Sequence, residues 1–309
     1  LYRHDLETGR LNQAQARELM SMLLIKMNDV TMLQAGFLQV GFSGYPVMQG
    51  LTVGGVTPEG EDAVNELSYL ILDAEEEVGL TAEELVIRIS AQNPDRYVER
   101  ACEVARNLSG KLKFVSDEST VAALVQFGLP EHLARDYISC GCHCPMVPAV
   151  NQISSGVIFN YPLMLELALN NGVHRQTGRQ LGPQTGDPAG FTSLSEIENA
   201  FEAQFEALYQ AAMAFKNADM YLYGTQMPCP LISSFYGSCL ERGDDLFRHG
   251  TDPYAGHATG ICGLPNIADS LAAIQKVVFE DRQASMSELL QALADNFAGH
   301  DELLRRLKA

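Results

Sequence analysis

The sequence predicts an α/β chain, with short buried strands alternating with amphipathic helices in a layered or barrel architecture. Three observations carry this expectation. Runs such as Leu85-Val86-Ile87-Arg88-Ile89 have the length and β-branched content of buried strands. Apolar stripes at helical spacing lie between them, as in Val64, Leu67, Leu70 and Ile71. Hydrophobic residues make up 46% of the 309 positions against 19% charged, enough for a sizeable core.

Taken in order, residues 12–28 read as a helix whose stripe is Leu19, Met20, Leu23, Leu24 and Met27. Ser43-Gly44-Tyr45-Pro46 is a turn, and residues 51–56 form a short strand containing two glycines. A helix over 61–77, a buried strand over 85–89 and a helix opened by Pro94 and running to Asn107 follow. Phe114-Val115 is strand-like and leads to Asp117, with helices expected over 121–127 and 131–137. A helix over 162–171 stops at Gly172, and residues 174–191 show no periodicity and read as an excursion loop. The clearest helical pattern is 195–218, with Ile197, Ala200, Phe201, Phe205, Leu208 and Ala212 on one stripe. Residues 227–230 break the chain, and 232–240 form a short helix or strand. Residues 250–263 read as a glycine-rich loop, and 266–279 as a helix with Asn266 as N-cap. Helices over 287–297 and 301–308 close the chain, with no internal repeat, low-complexity tract or interdomain linker along it.

Charge narrows the function. A net charge of −18 argues against nucleic acid and anionic membrane surfaces. No run of eighteen apolar residues offers a bilayer span, and no signal peptide is visible. Seven cysteines, odd in number and unevenly spaced in a long chain, fit a reducing cytoplasm. The chain starts at Leu1 and stops within a helical pattern (Leu303, Leu304, Leu307), so it is expected to be an excerpt from a longer protein.

The stretch that concentrates chemistry is Ser139-Cys140-Gly141-Cys142-His143-Cys144-Pro145. Between Asp136 and Glu166 His143 is the only acid or base, so the segment belongs in the interior. Alternation puts Cys140, Cys142 and Cys144 on one side of an extended segment. A zinc site normally draws a second ligand pair from another segment, and Cys229, Cys239 and Cys262 are isolated. A redox pair needs two residues between cysteines, and here there is one. For a cysteine nucleophile, His143 is adjacent rather than opposite, and His132, His174, His249 and His257 offer no preferred base. Cys102, Cys239 and Cys262 are expected to be small core hydrophobes. Gly54-Gly55 after a strand suggests a phosphate loop but lacks the lysine, and His249, Asp252 and His257 make a poor metal set. Glu75-Glu76-Glu77 reads as a solvated helix face.

Several blocks together resemble the glycyl radical enzymes related to pyruvate formate-lyase. They are residues 51–56, Asn65-Glu66-Leu67-Ser68-Tyr69-Leu70 with Leu72-Asp73-Ala74, Val86-Ile87-Arg88-Ile89, and Ala134-Arg135-Asp136-Tyr137 leading to Gly141-Cys142. Residues 166–172 and 266–274 belong to the same set, so the likeness runs nearly end to end. The resemblance implies that residues 1–309 are part of one catalytic domain, a partial ten-stranded α/β barrel, with the glycyl radical segment beyond 309. It implies that Cys142 carries a thiyl radical, formed by hydrogen transfer to the glycyl radical. Cys140, His143 and Cys144 become auxiliary candidates, and Ser154, Ser155 and Ile158 candidate pocket residues. A separate radical S-adenosylmethionine enzyme would install the radical, no metal or other cofactor would be bound, and the protein would be a cytoplasmic homodimer acting on a small molecule under anaerobic conditions.

This sequence departs from the family pattern in three places. Many members have a glutamate two residues after the reactive cysteine, where Cys144 stands. The dehydratases have a Trp-His-Asp run about a dozen residues on, and here Ser154-Ser155 bring no carboxylate. The pyruvate-cleaving enzyme has adjacent cysteines, whereas Gly141 separates Cys140 from Cys142. Elimination of water or an amine needs a proton donor for the leaving group. A carbon–carbon lyase or decarboxylase is therefore expected. The alternatives are a fumarate-adding hydrocarbon succinate synthase and, in another class, an inactive, truncated, thiol-rich binding protein.

Overall fold

The structure, a computed structural model, describes residues 1–29, 36, 50–81, 84–109, 111–139, 144–150 and 152–308. The expected turn at 43–46 lies outside the described residues. The chain divides into two compact units, Leu1–Ile153 with Cys229–Gly256, and Ser154–Pro228 with His257–Ala309.

The first unit opens with helices α1 (Tyr2–Glu7) and α2 (Gln13–Asn28), the latter started by an Asn12–Gln15 capping box. Strands β1 (Gly50–Gly54), β2 (Glu84–Ile89) and β3 (Lys113–Ser116) form a parallel sheet in that order, with Gly54 opposite Arg88 and Arg88 opposite Val115. Parallel neighbours need long crossovers, supplied here by α3 (Glu66–Val78) and α4 (Asp95–Asn107). Leu85 and Ile87 of the central strand pack with Ile71, Leu72, Tyr97, Ala101, Val104 and Leu112, all buried. This is the burial expected of a strand covered on both faces.

Two lysines on the sheet side neutralise buried carboxylates, Lys111 with Glu75 and Lys113 with Glu84. Glu75 is thus fully buried rather than on a solvated helix face. Helix α3 starts later than expected because the chain from Val56 to Asp62 folds back on itself and Asn65, boxed with Ser68, caps the first turn.

After β3 come α5 (Asp117–Gln126), α6 (Glu131–Arg135) and a hairpin of β4 (Ile138–Ser139) and β5 (Pro145–Met146). Leu124, Leu129, Ala134, Tyr137 and Val147 form a second buried cluster in this unit. Helix α5 begins at Asp117 rather than 121 because Ser116 caps it. Strand β6 (Gln152–Asn160) and helices α7 (Tyr161–Ala168) and α8 (Leu194–Gln226) follow in the chain, then the short α9 (Pro230–Ser233) and α10 (Gly237–Arg242). The last two belong to the first unit, where Asp245 accepts from the Cys229 N–H at 2.7 Å and from Ser233 Oγ at 3.1 Å.

In the second unit β6 pairs with β7 (Ala255–Cys262), and α11 (Leu264–Ile274), α12 (Met286–Ala294) and α13 (Asp301–Leu307) complete the elements. The core is Leu165, Leu169, Ile197, Ile267, Ile274, Val278, Met286 and Leu289. Phe201, Phe205 and Tyr209 of α8, four apart, stack with Phe159 and Tyr161.

Two expectations are corrected here. Residues 255–262 are a strand, not a glycine-rich loop. Gly260 is not among the positive-φ glycines, and a Cβ there would meet Ile158 at an ordinary 3.4 Å, so this glycine sits in the strand without marking a turn. The helix after it is capped by Gly263, with a proline in its first turn, and Asn266 lies inside. The strand β6, which its lack of alternation concealed, was not expected at all.

Candidate active site

The carboxyl ends of the parallel strands meet at a buried charged cluster, the usual address of a site in such sheets. Arg88 points away from the Leu85–Ile87 core because side chains alternate along β2. Asp117 stands in the first turn of α5, where the helix end favours a carboxylate. The pair is bidentate, Arg88 Nε to Asp117 Oδ1 and Arg88 Nη2 to Oδ2, both at 2.8 Å, with side chains 8% and 3% exposed.

The rest of the network is backbone apart from the Tyr137 side chain. Arg88 donates to the carbonyls of Arg135 at 2.8 Å, Tyr137 at 3.1 Å and Val56 at 3.4 Å. Asp117 accepts from the Val56 N–H at 2.8 Å and from the Tyr137 hydroxyl at 2.8 Å. The Tyr137 ring lies 4.0 Å from the guanidinium carbon. Burial pushes the Tyr137 phenol well up, and its bond to the Asp117 carboxylate pushes it further. Burial, then the charge of Asp117, raises Tyr97 in the same way.

The glycine pair ending β1 is what lets these groups approach. Gly54 and Gly55 have φ of +83° and +71°. A Cβ on Gly54 would overlap the Tyr97 hydroxyl, which donates to the Val53 carbonyl at 3.0 Å. A Cβ on Gly55 would overlap the Asp117 carboxylate and the Arg88 guanidinium. Asn93 fixes the turn from below, donating to the Gly55 carbonyl at 2.7 Å and to Asp62 at 2.8 Å. The phosphate-loop suggestion for this pair is thereby replaced by close packing against side chains.

This cluster holds the root of the cysteine segment. Arg135 and Tyr137 lead into β4, the Ser139 N–H donates to Thr52 Oγ1 at 3.2 Å, and Ser139 pairs with Pro145 across the hairpin. The segment 140–144 is therefore flanked by two antiparallel strands. Cys140, Cys142 and His143 lie outside the described residues, while Cys144 is half-buried. Ser154 and Ser155 are on β6, with side chains outside the described part, and Ile158 on the same strand is 72% exposed.

Of the cysteines expected in the core, Cys239 is buried, and burial followed by the nearby Asp245 charge raises its thiol. Cys102 and Cys262 are exposed, a correction. Cys102 sits opposite the Tyr97, Ala101 and Val104 face of α4, and Cys262 ends β7. Among the described residues no three His, Cys, Asp or Glu side chains gather to hold a metal ion. Nor is any helix there long and apolar enough to cross a membrane.

Sequence reasoning gave no role to Arg88, Asp117 or Tyr137. The signal was present, since an arginine inside an apolar strand must find a partner. The partner's identity was not readable from spacing.

A parallel sheet with its polar groups at the strand ends, beside a cysteine hairpin, is an α/β arrangement of the kind that places sites at the carboxyl ends of strands. The chain belongs to the pyruvate formate lyase-like family, whose model matches residues 1–309. It is 33% identical over 309 residues to trans-4-hydroxy-L-proline dehydratase of Clostridioides difficile, covering 98% of this chain and 38% of that protein. It is 32% identical over 314 residues to isethionate sulfite-lyase of Oleidesulfovibrio alaskensis, covering 100% and 38%. The crystal structure of the C. difficile hydroxyproline dehydratase with its substrate bound superposes with a TM-score of 0.89 at 32% identity, over 97% of this chain and 38% of that one. The fold is thus that of the glycyl radical enzymes, a partial α/β barrel. The chain spans under two fifths of these relatives, which are lyases and dehydratases.

Proposed function

We propose that the protein carrying this chain is a glycyl radical lyase in which Cys142 is the catalytic residue. The observation that carries the reading is the cysteine segment 140–144, rooted at Ser139 and Pro145 beside a buried ion pair in a chain matching the family throughout. The radical, installed by a radical S-adenosylmethionine enzyme on a glycine outside residues 1–309, supplies the one-electron chemistry. Cys142 gives up its sulfur-bound hydrogen atom, and its thiyl then takes one from a carbon of a small substrate. After bond cleavage the product radical recovers that hydrogen from the Cys142 thiol. A segment without Asp, Glu, Lys or Arg suits a thiyl that must be kept from solvent and oxygen. The protein would work as a cytoplasmic homodimer in anaerobic metabolism, with no metal of its own.

Within this class we favour a carbon–carbon lyase or decarboxylase acting on a small acid. Cys144 stands where the eliminating relatives of the resemblance have a glutamate, and residues 137–165 contain no carboxylate to protonate a leaving group. The fumarate-adding alternative wants a free arginine at the site, and Arg88 is already committed to Asp117 and three carbonyls. The test uses the complete protein with its activating enzyme and a substrate panel. Cleavage or decarboxylation of a small acid is expected, with Cys142→Ala inactive. Turnover of glycerol, propanediol, hydroxyproline or choline would overturn the reaction subclass, and an active Cys142→Ala protein would overturn the site.

A further inference from the structure

We propose that Arg88, Asp117 and Tyr137 form a positioning cluster that sets the root of the cysteine segment, and thereby the distance over which Cys142 exchanges a hydrogen atom. The inference rests on the reading of Cys142 just given. It assigns these three residues a role in hydrogen transfer and not merely in folding.

The argument starts from what the pair does not do. A buried ion pair seldom adds net stability over an apolar substitute, because desolvating two charges offsets their attraction. Its distinctive property is directional. The Arg88 guanidinium is planar and rigid, and beyond Asp117 its bonds go to main-chain oxygens. Two of those oxygens, on Arg135 at the end of α6 and on Tyr137 just before β4, belong to the stretch leading into the cysteine segment, and the third, on Val56, to the turn after β1.

Asp117 binds the same two places from the other side, through the Val56 N–H and the Tyr137 hydroxyl. One ion pair therefore ties the β1 turn to the hairpin root, and the root cannot shift without breaking charged hydrogen bonds in a dry site. Arg135 reinforces this from the surface, donating to the Pro58 carbonyl at 3.4 Å and to Glu131 at 2.6 Å. Displacing a reacting group by about 1 Å can cost about a hundredfold in rate, so a fixed root matters to the chemistry.

The step under control balances simply. The sulfur–hydrogen bond of Cys142 breaks homolytically, the hydrogen atom forms a carbon–hydrogen bond at the glycyl carbon, and the unpaired electron remains on sulfur. In reverse the thiyl takes back either hydrogen from that carbon. In deuterium oxide the thiol carries deuterium, so each round trip can place deuterium on the glycyl carbon. The proton-split doublet in the electron paramagnetic resonance spectrum then collapses. No substrate is needed, and the rate is read per spin, so a loss of folded or activated protein alone does not change it.

The experiment activates the complete protein anaerobically, transfers it to deuterium oxide and follows collapse of the doublet. Wild type, Tyr137→Phe, Arg88→Lys and Cys142→Ala are compared. Tyr137→Phe keeps the ring over Arg88 and loses the hydroxyl's bonds to Asp117 and Thr120, so it should retain the radical. We expect it to exchange severalfold more slowly per spin, and Arg88→Lys about tenfold or more slowly. Should Arg88→Lys fail to fold and give no spins, Tyr137→Phe decides alone. Wild-type exchange rates per spin in the folded variants, even with reduced spin yield, would leave these residues a structural role only and overturn the inference. A doublet that collapses as fast in Cys142→Ala would instead overturn the assignment of Cys142, and this inference with it.

Discussion

Gly55 is bounded by charge on the side where any other residue would carry its Cβ. Its positive φ alone disfavours a side chain, and the overlap with Asp117 and Arg88 adds displacement of the buried pair. Gly9 provides the control, with a φ of +68° and open space around it. Gly9→Ala should cost about 1 kcal/mol and Gly55→Ala about 3–5 kcal/mol, from strain together with a broken buried network. Urea unfolding of both variants checks the difference, and equal losses would contradict the overlap. Tyr137→Phe should cost only about 1–2 kcal/mol in the same assay, since Asp117 keeps its other donors. Much of the residue scale was legible only halfway. The sequence marks Gly54-Gly55 as exceptional backbone and Arg88 as a charge in an apolar strand. It does not say that each explains the other, because Asp117 and Tyr137 reach them from distant segments.

Helix and strand starts show the same division between local and non-local signals. Asn65 caps α3 through a bond to the Leu67 N–H at 2.9 Å, with Ser68 bonding back to the Asn65 N–H at 3.2 Å. Asn65→Ala should destabilise by about 1 kcal/mol in thermal unfolding, and Asn65→Asp by much less. Glu118 does comparable work for the turn between β2 and α4, accepting from the Ala91 N–H at 2.9 Å and Ser90 Oγ at 3.0 Å. The Ala91 N–H bond, followed by the N–H of Glu118 itself, holds its carboxyl below the ordinary carboxylate range. A lowered folded-state value stabilises the ionised form, so this contribution is complete above the unfolded value and fades as pH falls through the folded one. The melting temperature of wild type should exceed that of Glu118→Gln at neutral pH, and the gap should narrow below pH ~4. A gap that widens in acid would reverse the assignment. Elements with local signatures were readable where those signatures lie: α4 behind Pro94 over its whole length, and the long α8 at its start and through its four-residue aromatic spacing, although it runs past the expected end at 218 to Gln226. The pair β6 and β7 was not, because glycines at 256 and 260 mimic a loop until the facing strand is known.

At the scale of the molecule, the lack of any Asp or Glu in residues 137–165 bears on what the proposed lyase could eliminate. Cys144→Glu restores the residue type that the dehydratases of the resemblance have there, and supplies a carboxyl proton donor to a segment that has none. If Cys144 is what separates this protein from water elimination, the variant should gain trace dehydration of a diol or hydroxyproline at the expense of its native reaction. Product analysis of the activated variant settles this, and an unaltered product spectrum would place the specificity elsewhere. The family and fold were legible because blocks resembling the family span the chain from 51 to 274, whereas these blocks name no substrate. The division into two units has a further consequence, for biosynthesis. The first unit is not continuous in the chain, since it resumes at Cys229–Gly256 after Ser154–Pro228. Tyr254 packs on the cluster that includes Tyr137 and Val147, and Gly256 lies against Phe127. A ribosome that has released only residues 1–153 has therefore made a sheet and a cysteine hairpin whose cluster still lacks a wall. That cluster closes only when the second unit's long helix α8 has already emerged, so the two units complete their folding as interleaved events and not one after the other.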